Sequence, residues 1–249
     1  MLHITYYTDP LCCWSWAFEP QWRRLLFEYG QLITFEIKMG GLIPAWNAYH
    51  DTENNVSRPV QMGPVWMHAS QLSGMPMNTR IWMENPPASS YPACIAVCCA
   101  KLQSQEASVH LLRLLRRALM LEGINIALPE NIYRIAGNYS SDAPDKFLLS
   151  RFIEDFETGR GTDAFKLDMN EVKSRSISRF PTLIVRAENG RAILITGYRA
   201  YADLVAAITS LDAGFHLSAR APDADAYLEM WPDATARELA EISGIPVSS

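Results

Sequence analysis

Long hydrophobic runs are missing from this 249-residue sequence. No stretch approaches the ~18 uninterrupted apolar residues of a membrane helix, so no membrane span is expected. The N-terminus has no positively charged region followed by an apolar core and a small-residue cleavage site, which predicts a cytoplasmic protein. Basic runs are missing too, and the net charge is −5. Nucleic acid is therefore a poor guess as partner. There is no Gly-rich phosphate loop and no Gly-x-Ser-x-Gly elbow. Cysteine is scarce and odd in number: Cys12, Cys13, Cys94, Cys98 and Cys99. Two clusters of this kind are not the framework of a secreted disulfide protein. The histidines His3, His50, His68, His110 and His216 are scattered without ligand spacing, so no metal site is expected.

What is present is the composition of an ordinary folded globule, 49% hydrophobic and 20% charged. Leu2 to Tyr7 is rich in β-formers, and Asp9-Pro10 is a turn signal. From Cys13 to Tyr29 apolar residues recur at helical spacing, with Gly30 as the expected C-cap. Leu32 to Lys38 alternates as a second strand, completing a βαβ unit. Residues 42–172 then carry helical patterns separated by Pro- and Gly-rich joints. These cover Val65–Leu72, Tyr91–Gln103, Ser108–Leu121, Asn131–Ala136 and Lys146–Glu157. In the third, Arg113, Arg116 and Arg117 read as a solvated face opposite a leucine stripe. The β pattern returns at Thr182–Arg186 and Ala192–Thr196, joined by the turn signal Glu188-Asn189-Gly190 and followed by an amphipathic helix over Ala200–Leu211. In the tail, Thr235-Ala236-Arg237-Glu238 fits a capping box, and Gly244 with Pro246 fits a helix stop. A short docking helix is expected there; nothing precedes it to support a helix-turn-helix. The order βαβ, helical block, ββα assigns residues 1–41 and 173–214 to one discontinuous α/β domain. Residues 42–172 are an inserted helical domain, and 215–249 a C-terminal extension.

The chemically informative segment is Asp9-Pro10-Leu11-Cys12-Cys13-Trp14-Ser15-Trp16. A cysteine between a strand end and a helix start meets free backbone N–H groups and the positive end of the helix dipole. Both favour the thiolate, which is the nucleophile. Trp14 and Trp16 would give it an apolar rim. Position alone leaves the other reading open, that Cys12 and Cys13 are small hydrophobes. Cys94 and Cys98 are one helical turn apart, too far for an unstrained bridge. Close helix packing explains them, a second redox pair only in a distorted helix. Met62, Met67, Met75, Met77 and Met83 belong to the core or line an adaptable groove.

This segment resembles the active-site loop of the DsbA family, in particular its cytoplasmic FrnE-like branch, with Asp-Pro-x-Cys-x-Trp-Cys-Trp at this point. Further stretches resemble the same family in order: Leu72-Ser73-Gly74-Met75-Pro76 with Trp82, Ser89-Ser90-Tyr91-Pro92-Ala93, Leu121-Glu122-Gly123-Ile124, Arg179-Phe180-Pro181-Thr182 and Gly197-Tyr198-Arg199-Ala200. The resemblance implies a thioredoxin fold with a large helical insertion. It also implies thiol–disulfide chemistry on a thiol- or disulfide-bearing protein, peptide or glutathione. Pattern alone reads Pro181 as a trans proline opening an edge strand. The resemblance makes it cis, with Phe180 offering its backbone to an extended substrate and its bulk narrowing the groove.

One departure matters: Ser15 stands where the family has its second active-site cysteine. A monothiol can attack an existing disulfide, so Cys12 is expected to act alone as an isomerase or reductase. Cys13 is a strained substitute partner. Ser15 hydrogen-bonds the thiolate or caps the helix. No cofactor is required, and glutathione enters as co-substrate. Two alternatives follow from the resemblance. One is a glutathione-dependent transferase or isomerase with Ser15 activating the bound thiol. The other is a non-enzymatic adaptor that delivers a regulator to a protease.

Overall fold

The computed structural model describes residues 1–211, 215 and 219–245. Its centre is a four-stranded sheet in the order β2-β1-β3-β4. The strands are β1 (Leu2–Thr8), β2 (Ile33–Met39), β3 (Thr182–Ala187) and β4 (Ala192–Thr196). β2 lies parallel to β1 in the register Leu2↔Ile33 to Thr8↔Met39. β3 lies antiparallel on the other side, with Tyr7 opposite Thr182. β1 is covered on both faces: every residue but His3 is buried, Thr5 and Thr8 included. Leu2, Ile4 and Tyr6 join the main core, while Tyr7 belongs to a small separate cluster with Cys12, Val172 and Phe180.

The helix expected over Cys13–Tyr29 is two helices, α1 (Cys13–Ala17) and α2 (Glu19–Tyr29). Pro20, in the first turn of α2, has no N–H to continue the ladder of α1. Tyr6 packs edge-on to Phe18 and against Trp22, which fixes this broken helix on the sheet. Gly30 is the C-cap of α2, as expected, in the right-handed conformation, and enters a short 3-10 turn before β2.

Between β2 and β3 the chain forms α3 (Met62–Ser73), α4 (Ile81–Glu84), α5 (Tyr91–Lys101), α6 (Gln105–Met120), α7 (Pro129–Asp142), α8 (Leu149–Glu157) and α9 (Arg160–Ser174). α5 is the hub. Its Ala93, Ala96 and Ala100 are fully buried, so its neighbours approach closely. At Gly161 of α9 an added Cβ would lie 2.1 Å from Cys99 Sγ. α9 had no counterpart in the periodicity: Leu167, central to its sequence, is exposed and breaks the apolar stripe. The chain ends in α10 (Tyr201–Thr209), α11 (Ala224–Met230) and α12 (Ala236–Ile242). The capping box at Thr235 forms: Thr235 N–H donates to Glu238 Oε2 at 2.7 Å, and Glu238 N–H to Thr235 Oγ1 at 3.3 Å. Tyr227 and Ile242 dock this segment on Phe27 of α2. Pro246 and His216 lie outside the described residues. No described helix is long and apolar enough to cross a membrane.

The arginines of α6 are not a solvated face. Arg113 and Arg116 are buried. Arg113 donates to Asp233 Oδ2 at 2.7 Å and Glu238 Oε2 at 2.8 Å, and Arg116 to Glu19 Oε2 at 3.0 Å. A buried charge requires such partners, and here they come from α2 and the C-terminal segment.

Candidate active site

The loop after β1 is built by Asp9. Its carboxylate accepts from Leu11 N–H at 2.8 Å, Leu42 N–H at 2.7 Å and the Cys94 thiol at 3.3 Å. Burial pushes this carboxyl above the usual range, against the pull of the Leu42 and Leu11 N–H groups. Arg116 reaches the same turn, donating to Thr8 Oγ1 and, at 3.4 Å, to Asp9 O. The turn delivers Cys12 to the N-cap of α1, where its sulfur accepts from Ser15 N–H at 3.4 Å. The thiol in turn donates to Phe180 O at 3.4 Å. The Phe180–Pro181 bond is cis.

Two opposing effects act on this sulfur. Burial raises the Cys12 pKa and dominates, while the side chain and N–H of Ser15 lower it. Burial thus works against the thiolate that the helix start favours. Cys12 is 4% exposed, and the dehydration of its charged form outweighs the few N–H groups of a five-residue helix. The Ser15 hydroxyl is buried and has no hydrogen-bond partner among the described residues. It sits close enough to pull the Cys12 pKa down.

The other expected residues divide. Trp14 lines a groove of about 870 Å³ that reaches Cys12 and Phe180. Its ring lies edge-on to His68 at 5.6 Å. Trp16 is not on the rim. It is fully buried, donates from Nε1 to Pro76 O at 3.0 Å, and carries the Arg113 guanidinium 4.6 Å from its ring. Cys13 joins the main core and Cys12 the small cluster with Tyr7, and both line the groove. Phe180 lines the groove and clusters with Tyr7, Cys12 and Val172. Cys94 and Cys98 do not face each other's sulfur: Cys94 bonds Asp9, and Cys98 lies 3.8 Å from Asp168 Oδ2. Met62 lines the groove, Met75 is core, and Met67 and Met83 are exposed.

Some residues around the thiol carried no sequence signal. Tyr7 donates to Glu171 Oε1 at 2.7 Å. Burial opposes the ionisation of Glu171, but hydrogen bonds from Tyr7, Arg175 and Lys38 outweigh it and hold the carboxyl at about 2. Across the groove mouth, Glu53 pairs with Arg179, the residue before Phe180.

A family model described as thioredoxin matches residues 6–206, well over half of the chain. The chain belongs to the thioredoxin family. Among curated thioredoxin-family relatives, the ClpXP adapter protein SpxH of Halalkalibacterium halodurans is 29% identical over 202 residues, covering 80% of this chain and 64% of the relative. The chain thus spans a little under two thirds of that protein's length. A Nitrosomonas europaea chain assigned as a protein disulfide isomerase superposes with a TM-score of 0.68 at 22% identity, covering 87% of this chain and 98% of the other. The cytosolic disulfide reductase DsbM of Pseudomonas aeruginosa, in the form solved with GSH, superposes with a TM-score of 0.58 at 19% identity over 78% and 89%. These likenesses establish the DsbA-like form of the thioredoxin fold. The family match ends at residue 206, so the C-terminal segment that pairs with Arg113 lies beyond it.

Proposed function

We propose that this protein catalyses monothiol thiol–disulfide exchange, with Cys12 as the attacking sulfur. The observation that carries the reading is the Cys12 thiol donating to the carbonyl of Phe180, the residue before the cis-proline, at the groove floor. In a substrate complex an extended peptide takes over that carbonyl and the thiol loses its acceptor. Deprotonated, the sulfur keeps the Ser15 N–H and gains the Ser15 hydroxyl, which has no other partner among the described residues. The thiolate attacks one sulfur of a disulfide; a Cys12 mixed disulfide forms, and the other sulfur leaves as thiolate and takes up, through solvent, the proton that Cys12 gave up. With serine at position 15, release falls to a second thiol, either the substrate's own or glutathione. The first outcome is isomerisation without net redox change. The second reduces the substrate and, with a further glutathione, yields glutathione disulfide. The reading has the protein working in the cytoplasm. Five unpaired cysteines and the resemblance to a cytosolic reductase support that setting.

The test is glutathione-coupled reduction of insulin or a mixed-disulfide peptide. The wild type accelerates it and Cys12→Ala falls to the uncatalysed rate; equal rates for the two would overturn the reading. A second reading rests on the relatives named ClpXP adapters and on the burial that raises the Cys12 pKa. In it the groove binds a protein without chemistry, and a stable partner retained equally by Cys12→Ala and wild type would favour it. A glutathione transferase acting through Ser15 would instead show saturable glutathione binding that survives loss of Cys12.

A further inference from the structure

A glycine just after the neighbouring strand leaves room for the Phe180 ring beside Cys12. Gly40 follows β2 and is buried, with its N–H donating to Thr8 O at 2.7 Å. A Cβ built on it would lie 2.0 Å from Phe180 Cζ and 2.4 and 2.5 Å from the two Cε atoms. The phenyl ring thus stands end-on against the bare Cα of residue 40. Phe180 clusters with Tyr7, Cys12 and Val172, all buried, and Trp14, Leu42 and Ile177 pack against that cluster. These three line the groove together with Phe180 and Gly40. Gly40 does not have the positive φ that would demand glycine, so its backbone accepts alanine, and the Phe180 ring is what an added Cβ meets first.

We infer that Gly40 is a positioning residue that parks the Phe180 ring and so sets the groove width beside Cys12. With a side chain at position 40 the ring turns outward, and the carbonyl that accepts from Cys12 shifts with it. The consequence for specificity is direct. The slot admits a disulfide flanked by large side chains; a filled slot restricts Cys12 to slim ligands such as glutathione. This deepens the exchange reading, since it concerns the same groove, but its test needs no exchange.

The test is alkylation of Cys12, mapped by mass spectrometry, with iodoacetamide as the slim probe and a fluorescein-bearing maleimide as the bulky one. Gly40→Ala is expected to slow the bulky probe about ten-fold relative to the slim one, the scale of a typical overpacking penalty. Gly40→Ala/Phe180→Ala, with the ring removed, restores the wild-type ratio. If Gly40→Ala does not fold, Phe180→Trp in the Gly40 background overfills the same slot and is expected to lower the ratio likewise. An unchanged ratio in the folded crowded variant, or a double variant that stays slow, overturns the inference. Loss of insulin reduction with the alkylation pattern intact would fault the exchange reading and leave this one standing.

Discussion

The two surroundings of the first helix are built on opposite principles. On the groove side Cys12 is held by one weak contact to Phe180 O and one from Ser15 N–H. On the far side Arg23, Arg113 and Arg116 are buried and permanently charged, each facing carboxylates at 2.8 to 3.4 Å from Glu19 or Glu238. Burial raises the pKa of the thiol. It would lower that of Arg113, but Glu238, Glu19 and Asp233 outweigh it and hold the charge more firmly than usual. A site that must change its bonding partner is assembled from neutral, replaceable contacts. The scaffold that keeps it in place is assembled from contacts that are costly to break.

The sharpest way to break this contrast is to remove a carboxylate on the charged side. Glu238→Gln leaves Arg113 and Arg23 short of a fully buried partner. The expected loss is about 3–5 kcal/mol of stability, read by urea unfolding at neutral pH, with exchange per folded molecule kept. A loss under about 1 kcal/mol would mean that the cluster is a solvated patch after all.

Asp233→Asn tests the same cluster through pH. Burial works against ionisation of Asp233, yet Arg23 and Arg113 hold its carboxyl at about 2. A depressed folded pKa adds stability above the ordinary carboxylate value of about 4, and that stability is lost as pH falls toward 2. The variant should be less stable at neutral pH and lose less than the wild type between about pH 4 and pH 2. Parallel acid-unfolding curves would contradict the pairing.

Much of the groove side was legible in the sequence because it is local. Asp9, Cys12 and Ser15 lie within seven positions and build one turn. Phe180–Pro181, 168 residues from Cys12, needed the family resemblance. The charged side was misread for a physical reason. Arg113 and Arg116 find their acids 97 to 125 residues away, so along α6 they look like any solvated stripe. Trp16 was misplaced because two tryptophans flanking Ser15 read alike, and only packing decides which one turns inward. Gly40 gave no signal, since a glycine after a strand is ordinary until the ring that occupies its missing side chain is seen.

The smallest effect sharpens the groove side. The apparent pKa of Cys12, read from the pH dependence of its alkylation, should lie above the usual free-thiol value of about 8.5. Ser15→Ala should raise it further, since the Ser15 side chain pulls it down. A lower value in the variant would show that the hydroxyl does not support the thiolate.

The central claim, that Cys12 alone carries the exchange, is tested most directly by trapping the covalent intermediate. The protein is incubated with glutathione disulfide, quenched in acid and mapped by tandem mass spectrometry. The account predicts a single glutathione adduct on Cys12, absent in Cys12→Ser. An adduct on Cys13 or the α5 cysteines, or no adduct on the wild type, would contradict it.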